Sequence, residues 1–158
     1  SIYLVCYLFW IANYILCARK SKEELVRFLG ADMLAKAVCF AFYILLPTTN
    51  VRPEIVGTTI WDEIMRTLYQ VDMPSNLFPS IHCLVSWLCY VGVRGKSYIP
   101  KWYQVFSCVM AIAVFISTLT TKQHVVIDVI AGLVLAEVCY WVTGKVVKSK
   151  KIQETSQY

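Results

Sequence analysis

Charge is scarce in this sequence: Asp, Glu, Lys and Arg make up 16% of the residues against 58% hydrophobic, and mean hydropathy is +0.59. That balance excludes an ordinary soluble domain and indicates a membrane protein. No repeat, no low-complexity linker and no shift of composition marks a second domain. No basic face is present either. The net charge is +5, but its positive residues stand at the ends of apolar runs, which excludes nucleic acid as a partner and is explained by membrane topology. Among the seven cysteines no two are spaced as Cys-x-x-Cys. All seven, from Cys6 to Cys139, fall within or at the edge of apolar runs, so they read as small buried apolar residues and not as disulfides or a metal site. No positively charged segment or cleavage site precedes the first apolar run and Ser1 lies inside it, so the expectation is a truncated N-terminus and not a signal peptide. Histidine is rarest of all, with His82 and His124 alone.

What is abundant is apolar length. A bilayer core takes about 20 apolar residues as a helix, and five stretches come near this: Ile2–Cys17, Leu25–Leu46, Leu77–Val93, Trp102–Leu119 and Val125–Val142. The fold class expected is therefore all-α, a polytopic transmembrane helix bundle. Residues 1–146 form its single domain and 147–158 a cytoplasmic tail. The second stretch is interrupted by Arg27, Asp32 and Lys36, of which the last two, four apart, can pair on one helix face.

The connecting segments sort by charge. Arg19, Lys20, Lys22 and Arg27 follow the first span, Arg94, Lys96 and Lys101 the third, and Lys145, Lys148, Lys150 and Lys151 the fifth. The positive-inside rule makes these cytoplasmic and the segments after the second and fourth spans extracytoplasmic. A natural chain starting in the cytoplasm then needs a sixth helix upstream of Ser1.

Both extracytoplasmic segments carry the unusual residues. One holds Pro47-Thr48-Thr49-Asn50-Val51-Arg52-Pro53-Glu54 and ends with Phe78-Pro79-Ser80-Ile81-His82; the other holds Thr120-Thr121-Lys122-Gln123-His124, followed by Asp128. Four residues apart, Asp128 can accept a hydrogen bond from one ring nitrogen of His124 and orient the other as a nucleophile. Pro79 suits a first helical turn, so Ser80 lies where free N–H groups attract an anion. Arg52 is the natural phosphate clamp, and Lys122 adds positive charge at the same mouth. Each residue alone also has an ordinary reading, as an interfacial histidine, a turn dipeptide or a snorkelling lysine. Asp128 within an apolar span requires a partner. The stretch Thr59–Val71 has apolar residues at helical spacing and is expected to be an amphipathic helix on the outer membrane surface.

Arg52-Pro53, Pro79-Ser80-Ile81-His82, and His124 with Asp128 together resemble the type 2 phosphatidic acid phosphatase superfamily. Its signature is Lys-x6-Arg-Pro, Pro-Ser-x-His and Ser-Arg-x5-His-x3-Asp. Pro-Thr-Thr-x-x-Arg-Pro-Glu and Thr-Lys-Gln-His resemble its inositol phosphorylceramide synthase-like branch. The resemblance covers roughly Pro47 to Gly132. It implies a membrane lipid phosphatase or lipid phosphotransferase: His124 attacks phosphorus to form a phosphohistidine, Asp128 orients it, and His82 protonates the leaving alcohol and then activates the acceptor. Arg52, Ser80 and Lys122 would bind the phosphate of a lipid substrate, with no metal and no cofactor. Leu45 and Thr118 stand where the signature has Lys and Arg, and Lys122 is a candidate replacement for one of them. Two other readings use the same residues. One is a metalloprotein with His82, His124 and Asp128 as ligands, the other a transporter or scaffold with Asp128 and Glu137 as intramembrane ion sites. Lipid head group, acceptor and oligomeric state are not legible.

Overall fold

The computed structural model describes residues 2–49, 51, 54–71 and 76–155. Among these all regular structure is helical: α1 (Ile2–Lys20), α2 (Lys22–Leu45), α3 (Ile60–Val71), α4 (Ile81–Val93), α5 (Lys101–Thr120) and α6 (Val126–Thr155). Three are long and apolar enough to cross a membrane, namely α2, α5 and the Val126–Ser149 part of α6. Leu8, Ile11, Met33, Phe40, Val105, Val109, Ile116 and Val134 point outward and exposed. So much outward apolar surface suits a helical membrane bundle and not a protein facing water.

The expected third span, Leu77–Val93, is shortened to the 13 residues of α4, about 20 Å at 1.5 Å per residue. It is also the innermost helix, with Cys83, Leu84, Val85, Ser86, Leu88, Cys89, Val91, Gly92 and Val93 all buried against α1, α2, α5 and α6. A helix apolar on every side and wrapped by its neighbours does not itself have to match the bilayer. Its length is lost at the start, where residues 76–80 stay irregular and form part of the site described below. At the other end of the chain, α6 runs past the expected end of the fifth span at Val142, through to Thr155.

Small residues let the helices approach closely. Phe28, Ala31, Ala35 and Cys39 of α2 meet Leu84, Leu88 and Cys89 of α4 and Ala136 and Cys139 of α6 in one core. All seven cysteines are free and six are buried, as their apolar setting in the sequence predicts. Asp32 and Lys36 form the expected ion pair at 2.8 Å. Charges at the two connections rich in Lys and Arg are paired across helices: Lys96 with Glu24, and Arg94 with both carboxylate oxygens of Glu137 at 2.8 Å. Trp87 also donates to Glu137, at 3.0 Å. Glu137 is thus a strut at the end of the bundle away from the histidines.

Candidate active site

The site is built from four segments that meet at one end of the bundle. The last turn of α2 and the residues after it grip the segment before α4. Tyr43 donates its hydroxyl to the Pro79 carbonyl at 2.7 Å. Thr48 accepts Leu77 N–H on its hydroxyl at 2.9 Å, and its carbonyl takes Asn76 N–H at 2.8 Å. Thr48, which the sequence offered only as part of a motif, therefore fastens the first motif segment to the second.

Ser80 is fully buried and caps α4, its hydroxyl accepting Cys83 N–H at 3.4 Å. Its own N–H donates to the Asp128 carbonyl at 3.2 Å, tying the start of α4 to α6. Close approach here depends on Gly132: a Cβ at that position would stand 2.9 Å from the Ser80 carbonyl oxygen and 3.1 Å from Leu84 N. Any side chain would push the first turn of α4 off α6. Ser80 acts through its backbone and its cap, while the first N–H groups of α4 lack intrahelical acceptors, as at any helix start.

His82 lies one residue into α4 and is partly exposed. Its Nε2 is 3.3 Å from the Tyr7 hydroxyl, and the Trp10 ring lies 5.6 Å away between centroids. Neither aromatic residue was a sequence candidate, because α1 carries no motif and its relation to α4 is purely tertiary.

His124 is reached from the other side. The α5 helix ends in a tight turn in which Lys122 adopts φ 53°, the left-handed region that a residue with a Cβ seldom occupies. The Thr118 carbonyl then accepts both Gln123 N–H at 3.0 Å and His124 N–H at 3.3 Å. Thr118 itself is fully buried against Cys83, so where the signature carries a cation this chain has a packing residue. Leu45, the other departure, faces outward at the end of α2.

His124 precedes α6, so it and Asp128 do not share a helix face as their spacing suggested. Their approach comes from capping. Asp128 turns back over the start of α6, accepts Val125 N–H on Oδ2 at 3.0 Å, and holds the same oxygen 3.4 Å from His124 Nδ1. Both side chains are buried, at 7% and 6% exposed, so the pair is shielded from water and salt. The rings of His82 and His124 are 6.3 Å apart between centroids. The structure thus brings His82, His124, Asp128 and Ser80 together with exposed Lys122 on the adjoining turn. Arg52 lies outside the described residues. Among the described residues no three His, Cys, Asp or Glu side chains gather as a metal-binding set.

The segment expected to be amphipathic is helical as α3, from Ile60 to Val71. It opens on a reciprocal cap: Asp62 N–H donates to the Thr59 hydroxyl at 3.3 Å and Thr59 N–H to Asp62 Oδ2 at 2.8 Å. The Thr59 hydroxyl also donates to Asp62 Oδ2, at 2.5 Å, and this bond first, then that from Thr59 N–H, holds the Asp62 carboxyl below its ordinary pKa. Ile60 and Trp61 are exposed, and Tyr69 donates its hydroxyl to the Thr121 carbonyl at 3.1 Å. The helix therefore leans on the very turn that presents His124.

No curated protein and no solved structure matches the chain. A family model, that of the PAP2 superfamily, matches residues 1–142. This match takes in every motif segment described above, and the chain belongs to the PAP2 superfamily.

Proposed function

We propose that this protein is a membrane lipid phosphatase or lipid phosphotransferase that works through a phosphohistidine on His124, with its site on the extracytoplasmic side. The observation that carries the reading is the buried His124 whose Nδ1 is held 3.4 Å from Asp128 Oδ2, leaving Nε2 as the attacking nitrogen. The His82 ring lies 6.3 Å away between centroids, near enough for one histidine to attack a phosphoryl group and the other to act as its proton donor.

In the first half-reaction the P–Nε2 bond forms as the P–O bond to the leaving alcohol breaks, and His82 gives that oxygen its proton. In the second, His82 takes a proton from water or an alcohol, the new P–O bond forms and the P–Nε2 bond breaks. Charge on the transferring group is met by Arg52, Lys122 and the first N–H groups of α4 after Ser80. The left-handed backbone of Lys122 favours this role. A glycine would sit there without strain, and strain kept by a charged residue at the mouth of a site points to use of its side chain. The branch resemblance of Pro-Thr-Thr-x-x-Arg-Pro-Glu and Thr-Lys-Gln-His supports transfer between lipids as well as hydrolysis. Sidedness rests on the lysine and arginine alternation, which agrees with the way the helices gather the motif segments at one end and Lys96, Glu24 and Arg94 at the other.

The test is incubation of the full chain in vesicles with a panel of lipid phosphates in metal-free buffer, with and without alcohol acceptors. Release of phosphate or formation of a phosphorylated acceptor is expected. Failure with every lipid would remove the proposal.

A further inference from the structure

A groove of about 480 Å³ runs down the outside of the bundle between α1, α2 and α4, starting at the histidine site. Its upper wall is Tyr7 and Trp10, the two aromatic residues that touch His82. Ile11 and Ile15 continue it along α1, Ile81 faces them from α4, and Lys36 closes it at the lower end. From Tyr7 to Ile15 is eight residues, about 12 Å along the helix. The wall is held in place: Trp10 Nε1 donates to Ser86 Oγ at 2.9 Å, and the Lys36 ammonium is fixed on Asp32 at 2.8 Å.

We infer that this groove seats the first part of a hydrocarbon chain of the lipid whose phosphate lies between His82 and His124, so that chain packing against α1 positions the phosphate for attack. The inference rests on the lipid-phosphate reading of the site. Its footing is continuity: the same two side chains, Tyr7 and Trp10, form the edge of the groove and the surroundings of His82. A second apolar groove, between α2 and α6, is bordered by Phe42, Pro79 and Val138. It includes neither Tyr7 nor Trp10, the side chains placed against His82. Nor does it end on a polar pair, whereas the first turns polar at Lys36 and thus defines a length. A chain gains little free energy in passing from bilayer to groove, since lipid tails are as apolar as the groove wall. The groove therefore orients the substrate and does not concentrate it.

Three variants and one label test this. Ile11 and Ile15 point outward, at 56% and 48% exposed, so Ile11→Trp and Ile15→Trp fill the groove without touching the core. Val138→Trp does the same in the second groove and is the control. The full chain is assayed in phosphatidylcholine vesicles carrying long-chain phosphatidic acid, and separately with a water-soluble aryl phosphate that has no chain. A misplacement of about 1 Å costs up to about a hundredfold. The expected result is a loss of about tenfold or more in kcat/KM for phosphatidic acid in both groove variants, with the aryl phosphate unaffected and Val138→Trp close to wild type. Equal losses on both substrates, no loss, or a loss confined to Val138→Trp overturns the inference while leaving the site reading intact. The label covers the case in which the wild type is active on neither substrate. Phosphatidic acid with a diazirine near the start of its chain should mark α1, and unlabelled phosphatidic acid but not phosphatidylcholine should compete it away. Labelling that phosphatidylcholine removes equally means ordinary bilayer lipid in the groove and ends the proposal.

Discussion

The two histidines stand at comparable places, each where a short irregular segment meets the start of a helix, yet the chain treats them differently. His82 is part of α4, partly exposed, and surrounded by Tyr7 and Trp10 from another helix. His124 lies outside α6, buried, with the Asp128 carboxylate 3.4 Å from Nδ1 and its backbone N–H donating to the Thr118 carbonyl. A proton shuttle has to exchange with solvent or substrate and tolerates a mobile, aromatic setting. A nucleophile has to hold one tautomer and one direction. The contrast in burial and bonding matches that division of labour.

The strongest way to break the comparison is to remove each ring in turn. His124→Ala is expected to abolish turnover and any labelled phosphoenzyme. His82→Ala is expected to slow lipid phosphates by about 10²–10⁴-fold, the usual worth of a positioned acid or base, while a substrate with a leaving group of low pKa still phosphorylates the protein. Label persisting in His124→Ala after acid-free quenching would move the nucleophile elsewhere. Smaller than total loss but still large is the effect of Asp128→Asn, up to about 10⁴-fold in kcat, the size of loss seen when the carboxylate orienting a catalytic histidine becomes an amide. Folding should be nearly unaffected, because the amide oxygen still accepts Val125 N–H. A variant that melts well below wild type would show that the carboxylate serves the helix start more than the histidine.

Next comes the distance between the two rings. Gly132→Ala places a Cβ against the Ser80 carbonyl and Leu84 N–H, both backbone groups that cannot swing aside. The first turn of α4 should shift by a few tenths of an ångström, carrying His82 away from a His124 that stays in place. A loss of about tenfold in kcat/KM is expected, since sub-ångström displacements of reacting groups are felt at this level. Unchanged kcat/KM with unchanged stability would mean that the 6.3 Å separation is not what the chemistry uses.

Most of this was legible in the sequence to different depths. The apolar runs announced α1, α2, α5 and α6, because periodicity is not needed when a helix faces lipid on one side and small residues on the other. The start of α4 was missed by four residues: Leu77 and Phe78 read as part of an apolar run, whereas their N–H groups are spent on Thr48. His82, His124, Asp128 and Ser80, which residue type and spacing single out as candidates, come together at one end of the bundle. The manner in which Asp128 meets His124 was not legible, since a cap and a helix face give the same interval of four. Tyr7, Trp10, Tyr43 and Gly132 carry no motif. What makes them part of the site is which helices pack together, and single-sequence reasoning has no access to that.

The smallest effect sharpens the comparison from the side of α3. That helix touches the His124 turn through Tyr69 and Thr121, and its first turn depends on the reciprocal cap of Thr59 and Asp62. The Asp62 carboxyl is held below its ordinary pKa by the hydrogen bonds it accepts from the Thr59 hydroxyl and N–H. A carboxyl with a lowered folded pKa contributes stability that is fully present above its unfolded value and is lost as pH falls through the folded one. Acidification should therefore release the start of α3, and with it some of the support of the His124 turn, while the surroundings of His82 stay unchanged. Hydrogen exchange of α3 amides in wild type and Asp62→Asn, compared at matched pH, isolates this from the intrinsic effect of acid. Near neutral pH the variant should exchange faster. Below the folded pKa of Asp62 the two should converge, because the wild-type carboxyl is then neutral as well. Equal exchange at every pH would mean that α3 is held by Leu68 and Tyr69 alone, and that the cap contributes nothing to the His124 side of the site.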